Sequence, residues 1–209
     1  MHKSHNHGPI AVIDVETTGL FPARNDRIVE IAVVVLQYDG SIEREFVTLV
    51  NPARDIGPSS IHGLKSEDIL NAPHFADIAS QLIHNLHGSV AIAGHNIRFD
   101  KQFLESEFSR IDCPLSQCFS ICTMRLAGGG NLAQCCGNHG IPLGNESHSA
   151  LADVRATAQL LASLLPEHPD TIRELNALEP IQWPTVAHSG KPPLTRSESQ
   201  CMLLEPPGY

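Results

Sequence analysis

The chain has 209 residues and a formal net charge of −9 at pH 7, which predicts one globular domain and argues against a protein that grips long nucleic acid by neutralising many phosphates. The charge does not exclude a nuclease, because acidic side chains that hold divalent cations concentrate the attraction for phosphate at one site. No apolar stretch approaches the ~18 residues of a membrane span, and the amino end does not resemble a signal peptide, so a soluble cytoplasmic protein is expected.

The first third of the chain is predicted to be rich in β-structure. Residues 1–8 are expected to be flexible. Three strands are then predicted over 10–16, 28–38 and 42–50. The second strand ends at Asp39-Gly40, a typical hairpin turn, so the third should pair with it in antiparallel orientation. Ser66 is expected to begin a short helix that ends before Pro73.

Helices and strands alternate in the rest of the chain. Apolar spacing predicts helices over 75–87, 99–108, 131–138 and 149–165 and strands over 90–94 and 118–122. This order indicates an α/β domain with a mixed sheet, over residues 9–178. The sequence from residue 179 onwards is rich in proline and serine, which predicts a disordered tail over 179–209.

The six cysteines show no regular spacing, and reduced thiols are expected in a chain large enough to fold without disulfides. Cys118 and Cys122 are loosely spaced like zinc ligands, but a matching second pair is missing. His2, His5 and His7 could also bind metal, although a flexible, tag-like amino end is the simpler interpretation.

Two acidic residues lie within the first apolar run, IAVIDVETTGL. In a strand, Asp14 and Glu16 point to the same face about 6.5 to 7 Å apart. Carboxylates so close repel each other unless cations lie between them, and oxygen ligands of this kind suit Mg²⁺ or Mn²⁺. Two such ions can clamp the attacking and leaving oxygens in phosphodiester hydrolysis. The spacing therefore indicates half of a metal site; the alternative is that the strand ends at Ile13 and both acids are solvated.

Two further acids lie at the amino ends of predicted helices, Asp100 after GHNIRF and Asp153 in HSALAD. Each alone is typical of an acid that interacts favourably with a helix dipole. Asp153 lies on the flank of its helix's apolar stripe, where it can reach the sheet edge. His148 precedes it by five residues. An imidazole with a pKa near ~6.5 could take a proton from water beside metal ions, although a loop histidine is usually only solvated.

Three short segments of the sequence carry a family resemblance. DVETTG, GHNIRFD and HSALAD resemble, in order, the three motifs of the DEDDh exonucleases, the group that includes the proofreading epsilon subunit of bacterial DNA polymerase III. The resemblance spans about residues 10–165 and includes lesser matches such as RIVEIAVV, LVNP and IHGL. It implies a ribonuclease-H-like α/β fold, with a mixed five-stranded sheet flanked by helices. It also implies 3′-to-5′ hydrolysis of phosphodiester bonds that releases nucleoside monophosphates.

The resemblance implies roles for the acidic residues in a site with two divalent cations, Mg²⁺ or Mn²⁺. Asp14, Glu16 and Asp153 would hold the first metal, with Asp14 bridging to the second. Asp100 would act near the second metal, partly through water. His148 would be the general base.

Substrate-binding residues are also implied by the resemblance, namely Thr17, Thr18, Gly19, Leu20, His95, Asn96 and Phe99. The first three are candidates for contacts to the sugar and phosphate of the terminal nucleotide, and Leu20 for a wedge against its base. The last three would line the pocket, although a core role is an alternative for Phe99 because of its helical spacing. His62 is expected to have a structural role in a turn.

Three kinds of protein are compatible with these motifs. An exonuclease acting on single-stranded 3′ ends of DNA, in proofreading or repair, is favoured because DVETTGL, LVNP and IHGL look closest to polymerase-associated exonucleases. The alternatives are an exoribonuclease that trims RNA ends or short oligoribonucleotides, and a non-catalytic nucleic-acid module, which would be expected to lose a metal acid.

The tail suggests candidate partners, a DNA polymerase or a sliding clamp. QCMLL, residues 200–204, resembles the short peptides by which bacterial replication proteins dock on the clamp. Such short patterns also occur by chance in polar tails.

Overall fold

The computed structural model describes residues 8–143, 149–187 and 190–204, without the side chains of 201–204. These residues contain five strands, eight α-helices and two short 3-10 helices, Pro22–Arg24 and Leu165–Glu167. The strands are β1 (Ile10–Thr17), β2 (Ile28–Leu36), β3 (Ile42–Leu49), β4 (Ala91–Gly94) and β5 (Ser120–Cys122). The helices are α1 (Ser59–His62), α2 (Phe75–Leu86), α3 (Arg98–Arg110), α4 (Thr123–Leu126), α5 (Leu132–Asn138), α6 (Ala150–Leu164), α7 (Pro169–Leu175) and α8 (Arg196–Leu204). None of these helices combines the length and the apolar character needed to cross a bilayer.

The five strands form one mixed sheet in the order β3-β2-β1-β4-β5. β1 and β3 both pair with β2 in antiparallel orientation, whereas β4 pairs in parallel with β1 and β5. The β2–β3 hairpin turns at Asp39 and Gly40 as predicted: Gly40 has a φ of +84°, and the Ser41 N–H donates to Asp39 Oδ1 at 2.9 Å. The predicted mixed sheet flanked by helices is confirmed.

β1 is covered on both faces, which explains its nearly continuous apolar run. Ile13 belongs to one core cluster with Phe103 of α3. Val12, on the opposite face, belongs to a second cluster with Val154 of α6. Because side chains alternate along a strand, Asp14 follows Val12 onto the face that α6 covers.

β1 extends beyond its parallel neighbour β4. The pairing between these strands covers Ile10 to Val12 of β1. After Gly94 the chain turns through Asn96, whose φ is +70°, and enters α3. The last part of β1 therefore faces the amino end of α3 on this side, where β4 has already ended.

The short helix predicted from Ser66 is wrong, because residues 66–71 form successive turns. The N–H of Asp68 donates to the carbonyl of Lys65, three residues earlier, and the Asp68 carboxylate accepts from the Lys65 N–H at 2.7 Å. Pro73 leaves room for only a few residues, and so short a helix gains too few hydrogen bonds to offset the cost of nucleation.

The structure differs from the expected disordered tail in residues 179–187 and 190–200. Trp183 donates its Nε1 hydrogen to the carbonyl of Leu86 at 3.1 Å and packs against a core cluster. Leu194 is 6% exposed, and its N–H donates to Thr48 Oγ1 at 2.9 Å. A few apolar side chains separated by prolines show no period, so these anchors cannot be predicted from apolar spacing.

Candidate active site

Three of the four predicted acids meet at one point of the sheet. Asp14 and Glu16 extend from β1, and Asp153 extends from the first turn of α6, which packs on the same face. One carboxylate oxygen from each lies within 4.8 Å of the others. Oxygen atoms at such separations can close on a single divalent cation, whose bonds to oxygen are about 2.0 to 2.6 Å long. The donor set therefore fits Mg²⁺ or Mn²⁺.

Asp100 reaches the same region from the other face of the sheet and lies outside this group of three. Its carboxyl group is buried, with the residue 3% exposed, and its Oδ1 accepts the Val15 N–H at 3.2 Å. That N–H lies in the part of β1 that extends beyond the end of β4, so a side chain from α3 supplies the acceptor in place of a neighbouring strand. Asp100 is thus fixed beside Asp14 by the backbone of β1 itself.

The acidic cluster is electrostatically unfavourable in the absence of a cation. Burial raises the pKa of Asp14 well above its ordinary value, and the charges of Asp100 and Asp153 raise it further. Burial also raises the pKa of Glu16 to about 8, with a further contribution from Asp14. Burial raises the pKa of Asp100 to about 8, although backbone N–H groups act against the rise. A divalent cation that displaced the retained protons would relieve this repulsion.

The loop after β1 is held by its own side chains. The Thr17 hydroxyl donates to the Gly19 carbonyl at 2.7 Å. Thr18 is buried, and its hydroxyl donates to Asp26 Oδ1 at 3.3 Å and accepts the Arg27 N–H at 3.0 Å. A side chain at position 19 would meet the Asp26 carboxylate at 2.4 Å, which explains the glycine. Both threonine hydroxyls are thus engaged within the loop, and their predicted contacts to substrate stay predictions.

Leu20 is 65% exposed, and its contact with a base stays a prediction. Phe21 beside it is 52% exposed, and the Arg24 guanidinium lies 4.9 Å from the centre of its ring. The Phe21 N–H donates to Asp26 Oδ2 at 2.9 Å, which fixes the backbone of this apolar tip. The exposed ring of Phe21 on this fixed turn is of the type on which a nucleobase can stack.

His95, Asn96 and Phe99 differ in what they offer to a ligand. The ring of His95 lies 3.0 Å from Thr123 Oγ1 through Nδ1 and 3.1 Å from the Gly130 carbonyl through Nε2. Burial lowers the pKa of His95, so the neutral ring with hydrogen on Nε2 satisfies both contacts. Asn96 is exposed. Phe99 packs against the core with its ring centre 5.0 Å from that of Phe103, which favours the alternative core role.

Two predicted histidine roles have different outcomes. His148 lies outside the described residues, as do His2, His5 and His7, so its role as general base stays a prediction. The turn role of His62 is confirmed. This side chain is fully buried, its Nδ1 accepts the Leu64 N–H at 3.1 Å, and its Nε2 lies 3.1 Å from the Ile56 carbonyl.

Glu30 and Arg196 adjoin the acids, and the sequence interpretation missed both. Glu30 is 1% exposed and lies directly opposite Glu16 in the β1–β2 ladder. Arg196 donates from Nε to Glu30 Oε1 at 2.8 Å and from Nη2 to Oε2 at 2.7 Å. An acid within the apolar run IVEIAVVVL was a usable signal for Glu30, by the same reasoning that singled out Asp14. No pattern in the sequence points to Arg196.

Residues 11–161 match the exonuclease family RNase_T. The chain is 36% identical over 165 residues to the DNA polymerase III subunit epsilon-like protein of Rhodobacter capsulatus, a match that covers 74% of this chain and 23% of that protein. It is 40% identical over 107 residues to DNA polymerase III subunit epsilon of Treponema pallidum, covering 50% of this chain and 48% of that protein. The chain thus spans less than half the length of either relative.

One solved structure resembles the fold over nearly its whole length. The nuclease domain of 3′hExo, a DEDDh family member bound to rAMP, superposes with a TM-score of 0.62. The match covers 85% of this chain and 98% of that one at 17% identity. So low an identity shows likeness of fold alone.

Proposed function

The chain belongs to the exonuclease family RNase_T, and from this membership we propose that it is a metal-dependent 3′-to-5′ exonuclease that releases nucleoside monophosphates from single-stranded 3′ ends of DNA. The observation that carries the proposal is the meeting of the Asp14, Glu16 and Asp153 carboxylates within 4.8 Å. The buried Asp100 beside them supports it. A cluster of acids that is unfavourable without a cation is typical of a divalent metal site.

The acidic residues divide the work of binding metal. Asp14, Glu16 and Asp153 would hold the first divalent ion, and Asp14 and Asp100 would lie next to the second. Bound there, such ions would neutralise charge at the scissile phosphate and would lower the pKa of the attacking water. Asp100 also fixes the end of β1 through the Val15 N–H, so that the ligands from this strand are held before substrate arrives.

The remaining residues bind and orient the terminal nucleotide. In this proposal the turn after β1 would present Leu20 to the last base, and the backbone of Thr17 to Gly19 would contact the sugar and phosphate of the terminal nucleotide. His148, five residues before Asp153, takes the proton from the attacking water in this proposal. A positioned imidazole contributes about 10²- to 10⁴-fold to the rate of such a step.

DNA is the proposed polymer, with a role in proofreading or repair. Two named relatives are epsilon or epsilon-like subunits of DNA polymerase III, which supports this choice by analogy. RNA is the second candidate, since one solved neighbour of this fold is bound to rAMP. Single-turnover rates on single-stranded DNA and RNA of identical sequence would separate the two. A faster rate on RNA would overturn the choice of DNA.

The catalytic proposal is tested by digestion of an end-labelled single strand with Mn²⁺ and with EDTA. We expect shortening from the 3′ end with Mn²⁺ and none with EDTA. Binding of the strand without shortening under either condition would instead identify a non-catalytic nucleic-acid module. Paired and mispaired 3′ ends in the same gel would report whether the enzyme prefers frayed ends, as proofreading requires.

A polymerase or sliding clamp is the proposed protein partner, through the tail. Residues 200–204, QCMLL, fall within α8, where Gln200 is exposed. Leu203→Ala combined with Leu204→Ala should abolish binding to the clamp in a pull-down with purified components. Unchanged binding by the double variant would contradict this role of the tail.

A further inference from the structure

The segment 190–204, here called the C-terminal strap, is fixed to the domain on both sides of Arg196. Before Arg196, the Leu194 N–H donates to Thr48 Oγ1 at 2.9 Å, and the Leu194 carbonyl accepts the Leu49 N–H at 2.7 Å. After it, the buried Ser199 donates its hydroxyl to the carbonyl of Asp68. The strap therefore holds Arg196 at a defined place beside the sheet. The family match ends at residue 161, so the strap lies outside it.

Arg196 and a backbone amide share one buried carboxylate. The guanidinium makes two parallel hydrogen bonds with the two oxygens of Glu30, at 2.8 and 2.7 Å. Glu30 Oε2 also accepts the Ala150 N–H at 3.0 Å. A carboxylate that is 1% exposed is strongly unfavourable without such partners, and a two-pronged pair with arginine is the geometry that satisfies it best.

Ala150 is the first residue of α6, the helix that carries Asp153. The Ser149 side chain makes no capping hydrogen bond, so Glu30 supplies an acceptor to the helix from a neighbouring strand. Asp153 follows Ala150 by three residues, which is about 4.5 Å along the helix axis. Its N–H donates to the Ser149 carbonyl at 3.0 Å, which begins the helical ladder. A shift of the amino end of α6 would therefore move Asp153 as well.

Glu30 is also tied to the other side of the metal site. It lies opposite Glu16 in the β1–β2 ladder, and directly opposite residues of an antiparallel pair project from the same face. Glu30 thus connects the two parts of the site, because its backbone pairs with the strand that carries Asp14 and Glu16 and its side chain bonds to the helix that carries Asp153.

We propose that Arg196 is a positioning residue for the metal site: through Glu30 it holds the amino end of α6, and with it Asp153, at the separation from Asp14 and Glu16 that one divalent cation requires. The inference rests on the proposed metal-dependent function. Arg196 contacts neither metal nor substrate in this scheme. Its loss should weaken cation binding more than it slows the reaction once the site is filled.

The chain offers a closely matched control pair. Arg27 donates from Nε to Glu107 Oε1 at 2.6 Å and from Nη2 to Oε2 at 2.8 Å, and Glu107 Oε1 also accepts the Ile28 N–H at 3.3 Å. The side-chain exposures are 23% and 2% for Arg27 and Glu107, against 24% and 1% for Arg196 and Glu30. Glu107 follows Asp100 by seven residues on α3, about 10 Å along the axis. Arg27→Gln therefore breaks the same kind of pair away from the metal ligands.

The test is Mn²⁺ binding to metal-free protein, measured by titration calorimetry on the full chain, with thermal unfolding recorded in parallel. We expect Arg196→Gln to weaken Mn²⁺ binding by about tenfold, the size of effect seen when partners of metal ligands are removed. Arg27→Gln should lower the unfolding temperature comparably and leave the Mn²⁺ affinity unchanged. In digestion assays, Arg196→Gln should need more Mn²⁺ for half-maximal rate while the rate at saturating Mn²⁺ changes by less than about threefold.

Arg196→Lys supplies the conservative variant. Lysine keeps the charge but cannot make two parallel bonds, so its Mn²⁺ affinity should fall between those of the wild type and Arg196→Gln. If Arg196→Gln does not fold, the Mn²⁺ affinities of Arg196→Lys and Arg27→Lys are compared instead. Equal losses of Mn²⁺ affinity in the two members of either pair, or wild-type affinity in the Arg196 variants, would overturn the inference. Failure of the wild type itself to bind Mn²⁺ would overturn the proposed function, and the positioning role with it.

Discussion

Asp14→Asn should raise the stability of the metal-free protein and abolish hydrolysis at the same time. The amide keeps the shape of the carboxylate but removes one charge from the acidic cluster. Burial, Asp100 and Asp153 all raise the pKa of Asp14, so the charged form of this side chain destabilises the fold when no cation is bound. The negative charges of the cluster are neutralised only when a cation binds. Removing one of them is therefore expected to stabilise the metal-free protein and to remove its activity.

The size of the effect follows from the separation of the carboxylates. Two full charges 4.8 Å apart, the limiting distance within the cluster, repel by about 3 kcal/mol at an effective dielectric constant of ~20. Retained protons reduce this value, since the pKa of Glu16 is raised to about 8. We therefore expect a gain of about 1 to 2 kcal/mol, or ~2 to 8 °C in unfolding temperature for a chain of this size.

The assay is thermal unfolding in EDTA at about pH 5 and about pH 8. A carboxyl group whose pKa is raised in the folded state binds more protons folded than unfolded, so wild-type stability should fall as pH rises from about 4 towards about 8. The stability of Asp14→Asn should fall less over this pH range, and at the upper pH this variant should have a higher unfolding temperature than the wild type. Glu179→Gln, which removes an exposed charge, is the control and should follow the wild type. An unfolding temperature for Asp14→Asn below that of the wild type in EDTA, or Mg²⁺-dependent turnover by this variant, would refute the reasoning.

Three further predictions address the base, the wedge and the tail. His148→Ala should bind DNA ends but lose most of its rate, and at saturating metal the wild-type rate should rise through the imidazole range; a flat profile between about pH 5 and pH 8 would exclude His148 as the limiting base. Leu20→Ala should raise the KM for single-stranded DNA several-fold without lowering the unfolding temperature, because Leu20 is 65% exposed, and an unchanged KM would contradict the wedge. Trp183→Ala should destabilise the protein by about 3 kcal/mol in urea unfolding, the lower end of the range for a core tryptophan, since its partly buried ring packs on the core and its Nε1–H donates to the Leu86 carbonyl; a disordered tail would give no change.

The acids could be predicted from the sequence because their signals are local. Asp14 and Glu16 interrupt an apolar run with the period of a strand, and Asp153 stands at a fixed place on an amphipathic helix. These periods fix the face on which a side chain lies, but not the distance between elements. The sheet order places β1 against the face of α6, and this packing turns separate acids into a cluster.

Arg196 escaped prediction because its partner is remote in the chain. It lies 166 residues from Glu30, in a segment whose composition predicts disorder, whereas Glu30 itself interrupts an apolar run as Asp14 does. Three anchors, Trp183, Leu194 and Ser199, secure that segment one at a time. Such single contacts depend on the shape of the folded surface, and they produce no periodic pattern in the sequence.

Asp100 has a part in the fold as well as in the acidic cluster. β1 outruns β4 after Val12, which would leave the Val15 N–H without a strand partner, and the Asp100 carboxylate accepts it at 3.2 Å. A buried amide without an acceptor is destabilising by about 1 to 3 kcal/mol. The last part of β1 lacks a partner in β4, and an acid of the site, Asp100, supplies the missing hydrogen-bond acceptor. The position of this acid and the conformation of the end of β1 therefore depend on each other. This coupling explains how buried carboxylates stay fixed before any cation arrives, although their mutual repulsion favours separating them.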